Sequence, residues 1–178
     1  DISFVIFALA WRYRISPDEH VLALAHETLD YIQQKMKAPY GGFWHALPPQ
    51  GARVQNPHMH LVEACHAAFE ATGERRFLDQ ADEVVGLMRT KFFDGVTVGE
   101  FFNEDWTRQK GEAGRTLEPG HQFEWAWILS THQRLKGGDL SREIAALTNF
   151  AECFGVDPAT QVAFDGISPE GEIISASS

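Results

Sequence analysis

Apolar residues recur three and four positions apart along most of this chain, which is the spacing of amphipathic helices. The pattern predicts six helices, at about residues 1–14, 18–37, 56–72, 74–93, 119–136 and 140–153. Two of them begin at Pro57 and Pro119, and proline suits the first position of a helix but not its interior. Other boundaries fall at turn residues such as Ser16-Pro17-Asp18 and Gly137-Gly138. This order of elements predicts an all-α protein made of helix pairs.

The apolar stripes predict which helix faces are buried. They are Phe4, Phe7, Ala8, Trp11 and Ile15 in the first helix; Val21, Leu24, Ala25, Leu29 and Ile32 in the second; Phe77, Leu78, Ala81, Val84, Val85 and Met88 in the fourth; and Phe123, Ala126, Trp127, Ile128 and Leu135 in the fifth. Between the helices, residues 38–55 form a long loop rich in glycine and proline, and long loops in compact domains often carry function. Residues 96–102 predict a short strand, and residues 103–117 an exposed polar loop in which Trp106 is the exception. Residues 162–164 and 172–174 predict a hairpin.

A polar pair occurs twice, each time just inside a helix that begins at proline. His60 and Glu63 form the first His-x-x-Glu pair, and His121 and Glu124 form the second, 61 residues later. Each of these helices is followed by another amphipathic helix, so the repeat has the form of a helical hairpin. Packing alone does not require the same polar pair twice. Stacked hairpins of this kind predict a toroid whose functional site lies at its mouth.

The second pair has the residue types that proton transfer requires. His121 lies in the first turn of its helix, where the positive end of the helix dipole disfavours an imidazolium. The ring is therefore biased toward the neutral form, which a general base needs at pH 7. Glu124 lies on the same side of the helix and can oppose that bias, or fix which ring nitrogen carries the proton. We expect the chemistry at this pair.

The composition narrows the classes of function. A net charge of −10 over 178 residues argues against nucleic acid or an anionic membrane surface as a partner. The apolar run from Phe4 to Trp11 is too short to span a bilayer and lacks a basic N-terminal flank, so it predicts neither an anchor nor a signal peptide. Cys65 and Cys153 lie among apolar neighbours, which predicts buried free thiols in a cytoplasmic protein. The sequence has no nucleophile elbow, P-loop or dinucleotide-binding glycine motif.

Histidines two positions apart invite a metal interpretation. On a helix, however, His58 and His60 point away from each other and cannot share one ion. A metal site would need both of them to converge with His121 and Glu124 from two facing helices. We predict no metal and no other cofactor.

Several other residues have a structural interpretation beside a functional one. Trp44 and Trp106 stand in loops, where a flat ring can stack on the apolar face of a sugar. Asn56 is foremost a helix cap, although its side chain can also face a cavity. Arg53 is foremost a loop-anchoring cation, with binding of a sugar oxygen or phosphate as the alternative.

A resemblance to the N-acylglucosamine 2-epimerase superfamily is carried by two segments. They are Arg53-Val54-Gln55-Asn56-Pro57-His58-Met59-His60-Leu61-Val62-Glu63-Ala64 and Glu118-Pro119-Gly120-His121-Gln122-Phe123-Glu124-Trp125-Ala126-Trp127. Residues 100–106 resemble the segment that lies between them in the family. The Glu-Pro-Gly-His-x-Phe-Glu-Trp form is most similar to the aldose–ketose isomerase branch, the mannose and sulfoquinovose isomerases.

The resemblance implies an incomplete (α/α)6 toroid with short β-hairpins in its loops, in a cytoplasmic enzyme that needs no metal. Residues 1–178 would form a single domain, the central part of a barrel truncated at both ends. The chain begins inside an apolar helical pattern and ends just after a predicted strand, which agrees with that expectation. A partial barrel exposes apolar helix faces, so we expect a tendency to form homo-oligomers. We also expect this fragment alone to be inactive.

The resemblance also implies roles for particular residues. The family interconverts sugars at C1 and C2 through a cis-enediol(ate), with histidines moving the proton. His121 would be one acid/base histidine, oriented by Glu124, and Asn56 and His60 would bind the sugar. Further substrate-binding candidates are Met59, Trp106 and Arg53. The family's second acid/base histidine and a substrate-binding arginine have no counterpart in this sequence.

Three functions stay open. The first is an aldose–ketose isomerase of the mannose/fructose type, and the second is a 2-epimerase of the N-acylglucosamine or cellobiose type. The third is a non-catalytic carbohydrate-binding α-toroid. One base that serves C1 and C2 on one face gives isomerisation, whereas two bases on opposite faces give epimerisation. Because His121 is the one candidate base of such a pair in this sequence, the residues do not decide between the first two.

Overall fold

The structure is a computed structural model that describes residues 1–176. In this part of the chain there are seven α-helices: α1 (Ile2–Ile15), α2 (Glu19–Lys35), α3 (Asn56–Thr72), α4 (Arg75–Leu87), α5 (Gly111–Arg115), α6 (Pro119–Lys136) and α7 (Ser141–Phe154). A π-helical turn, Met88–Phe92, follows α4 along the chain, where the pattern predicted continuous α-helix. The chain divides into two compact units, one of residues 1–51 and 56–87, the other of residues 52–55 and the segment from residue 88 onward.

The first unit contains α1 to α4. Here α3 packs against both α1 and α4, and α2 packs against α1. The stripes predicted for the second and fourth helices are largely buried: Val21, Ala25, Leu29 and Ile32 in α2, and Phe77, Leu78, Ala81, Val84 and Val85 in α4. The cap signal before α2 is also confirmed, because the Asp18 side chain accepts a hydrogen bond from the His20 N–H.

The buried face predicted for α1 is wrong. Its buried residues are Ser3, Ile6 and Ala10, whereas Phe4, Trp11 and Ile15 are exposed. This helix is apolar on nearly every side, so residue spacing could not select the face that packs. The structure therefore leaves a row of large apolar side chains of α1 on the surface of the first unit.

The second unit contains α5 to α7 and two small antiparallel sheets. In one sheet β1 (Arg53–Val54) pairs with β2 (Phe101–Phe102), and in the other β3 (Gly166–Ile167) pairs with β4 (Ile173–Ser175). The predicted hairpin of the tail is thus wrong in its first strand, since residues 166–167 take the place of 162–164. Sequence patterns also missed β1 and α5, because elements of two and five residues are too short to show periodicity.

The helix α6 has the predicted bounds, but its predicted face is confirmed only for Ala126 and Ile128, which are buried. Trp127 is exposed, and the buried residues include Gln122, Trp125, Leu129 and His132. Gln122 can be buried because its amide makes two hydrogen bonds with the backbone of Val98, one from Nε2 at 2.9 Å and one to Oε1 at 2.8 Å. The spacing of apolar residues along the sequence cannot identify a buried polar residue of this kind.

Both cysteines are free, as predicted, but only Cys65 is buried; Cys153 is exposed on α7. Burial raises the pKa of the Cys65 thiol to about 12, which makes it unreactive at neutral pH. Within residues 1–176, the helices are all too short or too polar to cross a membrane.

Candidate active site

The pairing of β1 with β2 places two polar side chains next to each other in the second unit. The Gln55 N–H donates to the carbonyl oxygen of Glu100 at 3.3 Å, one step beyond the paired strand residues. Both side chains are buried, and the Gln55 amide donates through Nε2 to Oε2 of Glu100 at 2.8 Å. A buried carboxylate needs hydrogen-bond donors, and the sheet supplies the first of them.

The first turn of α6 brings His121 to this carboxylate. Nδ1 of His121 lies 2.9 Å from Oε2 of Glu100 and 3.2 Å from Nε2 of Gln55. On the other side of the ring, Nε2 lies 3.3 Å from Oε2 of Glu118. Glu118 occupies the cap position of α6, yet its side chain makes no capping hydrogen bond. The imidazole of His121 therefore has a carboxylate at each of its two nitrogens.

Trp125 completes this network from one turn further along α6. Its indole Nε1–H donates to Oε1 of Gln55 at 2.6 Å. Residues four apart on a helix share a face, so α6 presents both the imidazole and the indole to Gln55. The Trp125 ring is fully buried, with the ring of Phe92 nearby at 6.5 Å between centroids.

The electrostatics of His121 differ from the sequence-based expectation. Burial lowers the pKa of the ring, but the hydrogen bond and charge of Glu100, with the charges of Glu118 and Glu124, outweigh that effect and raise the pKa above 6.5. The expected bias toward the neutral form is therefore wrong. The ring is a stronger proton acceptor than an ordinary histidine.

The carboxyl group of Glu118 is also perturbed. Burial raises its pKa, and the negative charges of Glu100, Glu124 and Asp165 act in the same direction against the opposing effect of His121. Its side chain is 42% exposed, whereas that of Glu100 is 3% exposed. The Nε2 side of the imidazole thus faces the more accessible of the two acids.

The same three groups are close enough together to suggest a metal site. Glu100, Glu118 and His121 each offer a ligand atom within 4.8 Å of the others. The two carboxylates, however, contact opposite nitrogens of the ring. An ion bound to one nitrogen would have one of these carboxylates on the far side of the imidazole, so the arrangement fits a hydrogen-bonded acid/base group better than a metal centre.

Two predicted site residues of the second unit make a contact that anchors a loop. The guanidinium of Arg53 lies 3.7 Å from the centroid of the Trp106 ring, and its Nη1 donates to the Glu104 carbonyl oxygen at 3.1 Å. Burial lowers the pKa of Arg53 to about 10, so it remains charged at pH 7. The buried Trp106 ring also contacts Phe92 and Phe102. A sugar could not reach the ring face that Arg53 covers.

The other predicted binding residues belong to α3 in the first unit. Nδ1 of His60 lies 3.2 Å from Oε2 of Glu63, and the His60 ring contacts Phe4 at 4.9 Å between centroids. Asn56 is partly exposed at the start of α3, and Met59 is fully buried. Their roles in binding a sugar stay predictions.

The first unit also contains a cavity of about 260 Å³, whose wall includes the aromatic residues Tyr31, Phe43 and Trp44. The α3 residues described in this wall are Pro57, His58 and Leu61, and not the predicted binding residues. Nε2 of His58 accepts a hydrogen bond from the Phe43 N–H at 2.9 Å, so this buried histidine holds the loop before α3 in place.

Sequence reasoning missed Gln55, Glu100 and Glu118, which surround His121. It named Glu124 as the acid that orients the ring, but Glu124 is exposed and raises the pKa of His121 as a nearby charge. One signal was available: Glu100 is the lone acid within the apolar run of residues 96–102. A charged residue inside a predicted strand requires a partner, and that requirement could have marked it as functional.

Comparisons with known proteins show the family of the chain. The N-acylglucosamine 2-epimerase family matches residues 1–176. The chain belongs to this family. Its curated relatives include a mannose-6-phosphate isomerase of Rhizobium meliloti, 36% identical over 133 residues that cover 71% of this chain and 34% of the relative. A cellobiose 2-epimerase of Ruminococcus albus is 27% identical over 164 residues, which cover 83% of this chain and 41% of the relative.

Among solved structures, a D-mannose isomerase aligns with 98% of this chain and 49% of its own at a TM-score of 0.86 and 20% identity. A cellobiose 2-epimerase from Spirochaeta thermophila aligns with 98% of this chain at a TM-score of 0.67. These similarities confirm the predicted all-α fold class, the helical hairpins of an (α/α)6 toroid with small sheets in the loops. The chain spans less than half the length of the two curated relatives named above.

Proposed function

We propose that this member of the N-acylglucosamine 2-epimerase family takes part in the interconversion of an aldose and a ketose of the mannose/fructose type. The observation that carries the proposal is the placement of His121 between Glu100 and Glu118, which raises its proton affinity in a partly exposed position. Conversion at C1 and C2 requires a group that takes a proton from carbon and returns it to the neighbouring carbon. A desolvated imidazole with a raised pKa suits both steps.

In the proposed reaction, neutral His121 takes the proton from C2 of the aldose, and the electron pair forms the cis-enediolate. A proton then moves from the O2 hydroxyl to O1, and the imidazolium gives its proton to C1 as the carbonyl forms at C2, which gives the ketose. Glu124 supports the positive charge of the ring from a distance. In this proposal Asn56 and His60 bind the sugar, and the buried Arg53, Met59 and Trp106 support the wall of the binding site, roles that rest on the family resemblance.

A 2-epimerase is the second candidate, and the match to a cellobiose 2-epimerase favours it. Epimerisation returns the proton to the opposite face of C2, which requires a second base. Incubation of the intact protein with mannose or cellobiose in D2O separates the candidates. Fructose with deuterium at C1 supports the isomerase, and a C2 epimer with deuterium at C2 supports the epimerase.

Sugar binding without deuterium exchange would instead support a non-catalytic carbohydrate-binding protein. His121→Ala is the control in each case, because it should abolish exchange and leave binding largely intact. The match to a mannose-6-phosphate isomerase makes mannose 6-phosphate the second substrate to assay beside free mannose. Equal turnover of both would show that the phosphate is not recognised.

We further propose that these helices alone do not suffice for turnover, because the chain spans less than half of those two relatives. Measurable isomerisation by residues 1–178 would contradict this. We also propose that the protein is cytoplasmic and forms homo-oligomers. Self-association is supported by the exposed apolar side chains Phe4, Val5, Trp11 and Ile15 of α1, and sedimentation of the intact protein tests it. Cell fractionation tests the location.

A further inference from the structure

The hydrogen-bond roles around His121 can be assigned from the indole of Trp125, one turn further along α6. The Trp125 indole nitrogen can only donate a hydrogen bond, and it lies 2.6 Å from Oε1 of Gln55. The amide oxygen of Gln55 therefore faces Trp125. The amide nitrogen then faces Glu100 at 2.8 Å, and it must donate to that carboxylate.

The same reasoning extends to the imidazole. A carboxylate oxygen only accepts, so Nδ1 of His121 must carry a hydrogen in order to bond Oε2 of Glu100 at 2.9 Å. In the other tautomer Nδ1 would have a lone pair, and Gln55 could donate its second amide hydrogen to it across 3.2 Å. That tautomer, however, would place the lone pair of Nδ1 against the oxygen of Glu100. In the Nδ1–H form the lone pair of Nε2 faces Oε2 of Glu118, but that carboxylate lies farther away, at 3.3 Å, and is 42% exposed, so water can solvate it. The shorter contact with the buried Glu100 therefore favours the Nδ1–H form.

The two sides of the ring differ in access as well. Nδ1 is enclosed by Gln55 and Glu100, which are 0% and 4% exposed. Nε2 faces Glu118, whose side chain is 42% exposed. The Nε2 side of the ring is therefore the more accessible of the two.

We propose that Trp125, Gln55 and Glu100 form a relay of positioning residues that keeps the hydrogen of neutral His121 on Nδ1 and leaves Nε2 as the proton-transferring atom. The tautomer is a property of the protein without substrate. The link to sugar chemistry rests on the proposed function. A failure of one can thus be told from a failure of the other.

The first test is nuclear magnetic resonance of the intact protein labelled with ¹⁵N-histidine, at a pH high enough to deprotonate His121. The ring-nitrogen shifts distinguish the two tautomers, with the signal assigned by its loss in His121→Asn. We expect predominantly the Nδ1–H form. A predominantly Nε2–H form would overturn the proposal, whatever the protein does with sugars.

The second test asks whether the indole matters. In Glu100→Gln the side chain at position 100 can flip. The chain of donors from Trp125 through Gln55 favours the orientation with its oxygen toward His121, whereas the Glu118 N–H, which lies 3.3 Å from Oε1 of Glu100, favours the flipped one. Adding Trp125→Phe should release that constraint and raise the ratio of the Nε2–H to the Nδ1–H form by about fivefold relative to Glu100→Gln, the effect of one net hydrogen bond. An unchanged tautomer ratio would refute the relay.

Two further variants guard against misinterpretation. Gln55→Met in the Glu100→Gln background breaks the relay in its middle and leaves the buried indole in place, so it should raise the Nε2–H fraction even if the Trp125 variant does not fold. Gln122→Met is the matched control, because Gln122 is also a buried amide but bonds the backbone of Val98. It should lower stability and leave the tautomer ratio unchanged. If the protein is an isomerase, kcat should follow the Nδ1–H fraction while KM changes little.

Discussion

The two His-x-x-Glu pairs have the same spacing and the same proline-started helix, but they have different surroundings. In α3, His60 contacts Glu63 as the spacing predicts, and these side chains are 21% and 26% exposed. In α6, His121 instead contacts Glu118, three residues before it, and Glu100, the residue that precedes β2, while Glu124 is exposed. A local motif therefore predicts which helix face is polar, but tertiary structure decides which acid controls the histidine.

The comparison predicts that the two histidines differ most in catalysis. His121→Ala should lower kcat by about 10²–10⁴-fold, the usual contribution of a general acid/base, because it removes the proton-transferring group. His60→Ala should mainly raise KM, since His60 is proposed to bind the sugar. Steady-state kinetics of the intact protein with mannose measure both effects. Comparable losses of kcat in the two variants would remove the distinction between the pairs.

The pH dependence should also be controlled by the α6 pair. Because activity needs neutral His121 and its pKa is raised, activity should increase with pH through a midpoint above 6.5. Glu100→Gln removes the hydrogen bond to the carboxylate and its charge, while Glu118 and Glu124 remain, so the midpoint should move to lower pH. Glu63→Gln should leave the midpoint in place. A pH–rate profile that does not respond to Glu100→Gln would contradict the assignment.

The same pKa shift makes a prediction about stability. A pKa that is raised in the folded state stabilises the protein below the pKa of the unfolded chain, and this contribution is lost as the pH rises through the folded value. Wild-type stability should therefore decrease over the range just above pH 6.5, and His121→Asn should not show this decrease. Urea unfolding at several pH values measures the difference.

At fixed pH, removing a carboxylate side chain should lower the free energy of unfolding more in the second unit than in the first. Glu100→Ala leaves Gln55 and His121 without a buried acceptor, which should lower the free energy of unfolding by about 1–3 kcal/mol. Glu63→Ala breaks a more accessible pair and should cost less than about 1 kcal/mol. Urea unfolding at pH 7 compares them. Equal losses of unfolding free energy in the two variants would mean that Glu100 is less isolated from water than its 4% exposure indicates.

The smallest expected effect concerns the ring contact of His60. Phe4→Leu keeps an apolar residue on α1 but removes the aromatic contact with His60, which is worth about 0.5–1.5 kcal/mol at most. We expect a small rise in KM and no change in the pH midpoint. An effect on kcat as large as that of His121→Ala would show that the α3 pair takes part in the chemistry.

The sequence predicted the helices well, because their ends depend on local chemistry. Pro119 and Gly137 set the bounds of α6, and Asp18 caps α2. The buried faces of α1 and α6 were not predictable in the same way. In both helices apolar side chains occur on several sides, so neighbouring elements decide which side is covered.

The candidate site shows the same division between local and non-local information. His121 was predicted from its place in the first turn of a helix. Gln55 and Glu100 were not, because they meet only through the β1–β2 pair, across 45 residues of sequence. The sign of the shift in the His121 pKa was wrong for the same reason: the helix dipole is local, whereas the decisive carboxylate comes from a distant strand end.

Trp106 has a backbone φ of 69°, a left-handed conformation that usually favours glycine over a bulky residue. Glycine at this position would relieve the backbone strain but would remove the ring on which Arg53 lies. Another large aromatic residue would keep the contact with Arg53 but would also keep the strain. Both small and large replacements of Trp106 are therefore expected to be unfavourable. In a library of random variants, position 106 should tolerate fewer replacements than its exposed neighbours Asp105 and Thr107.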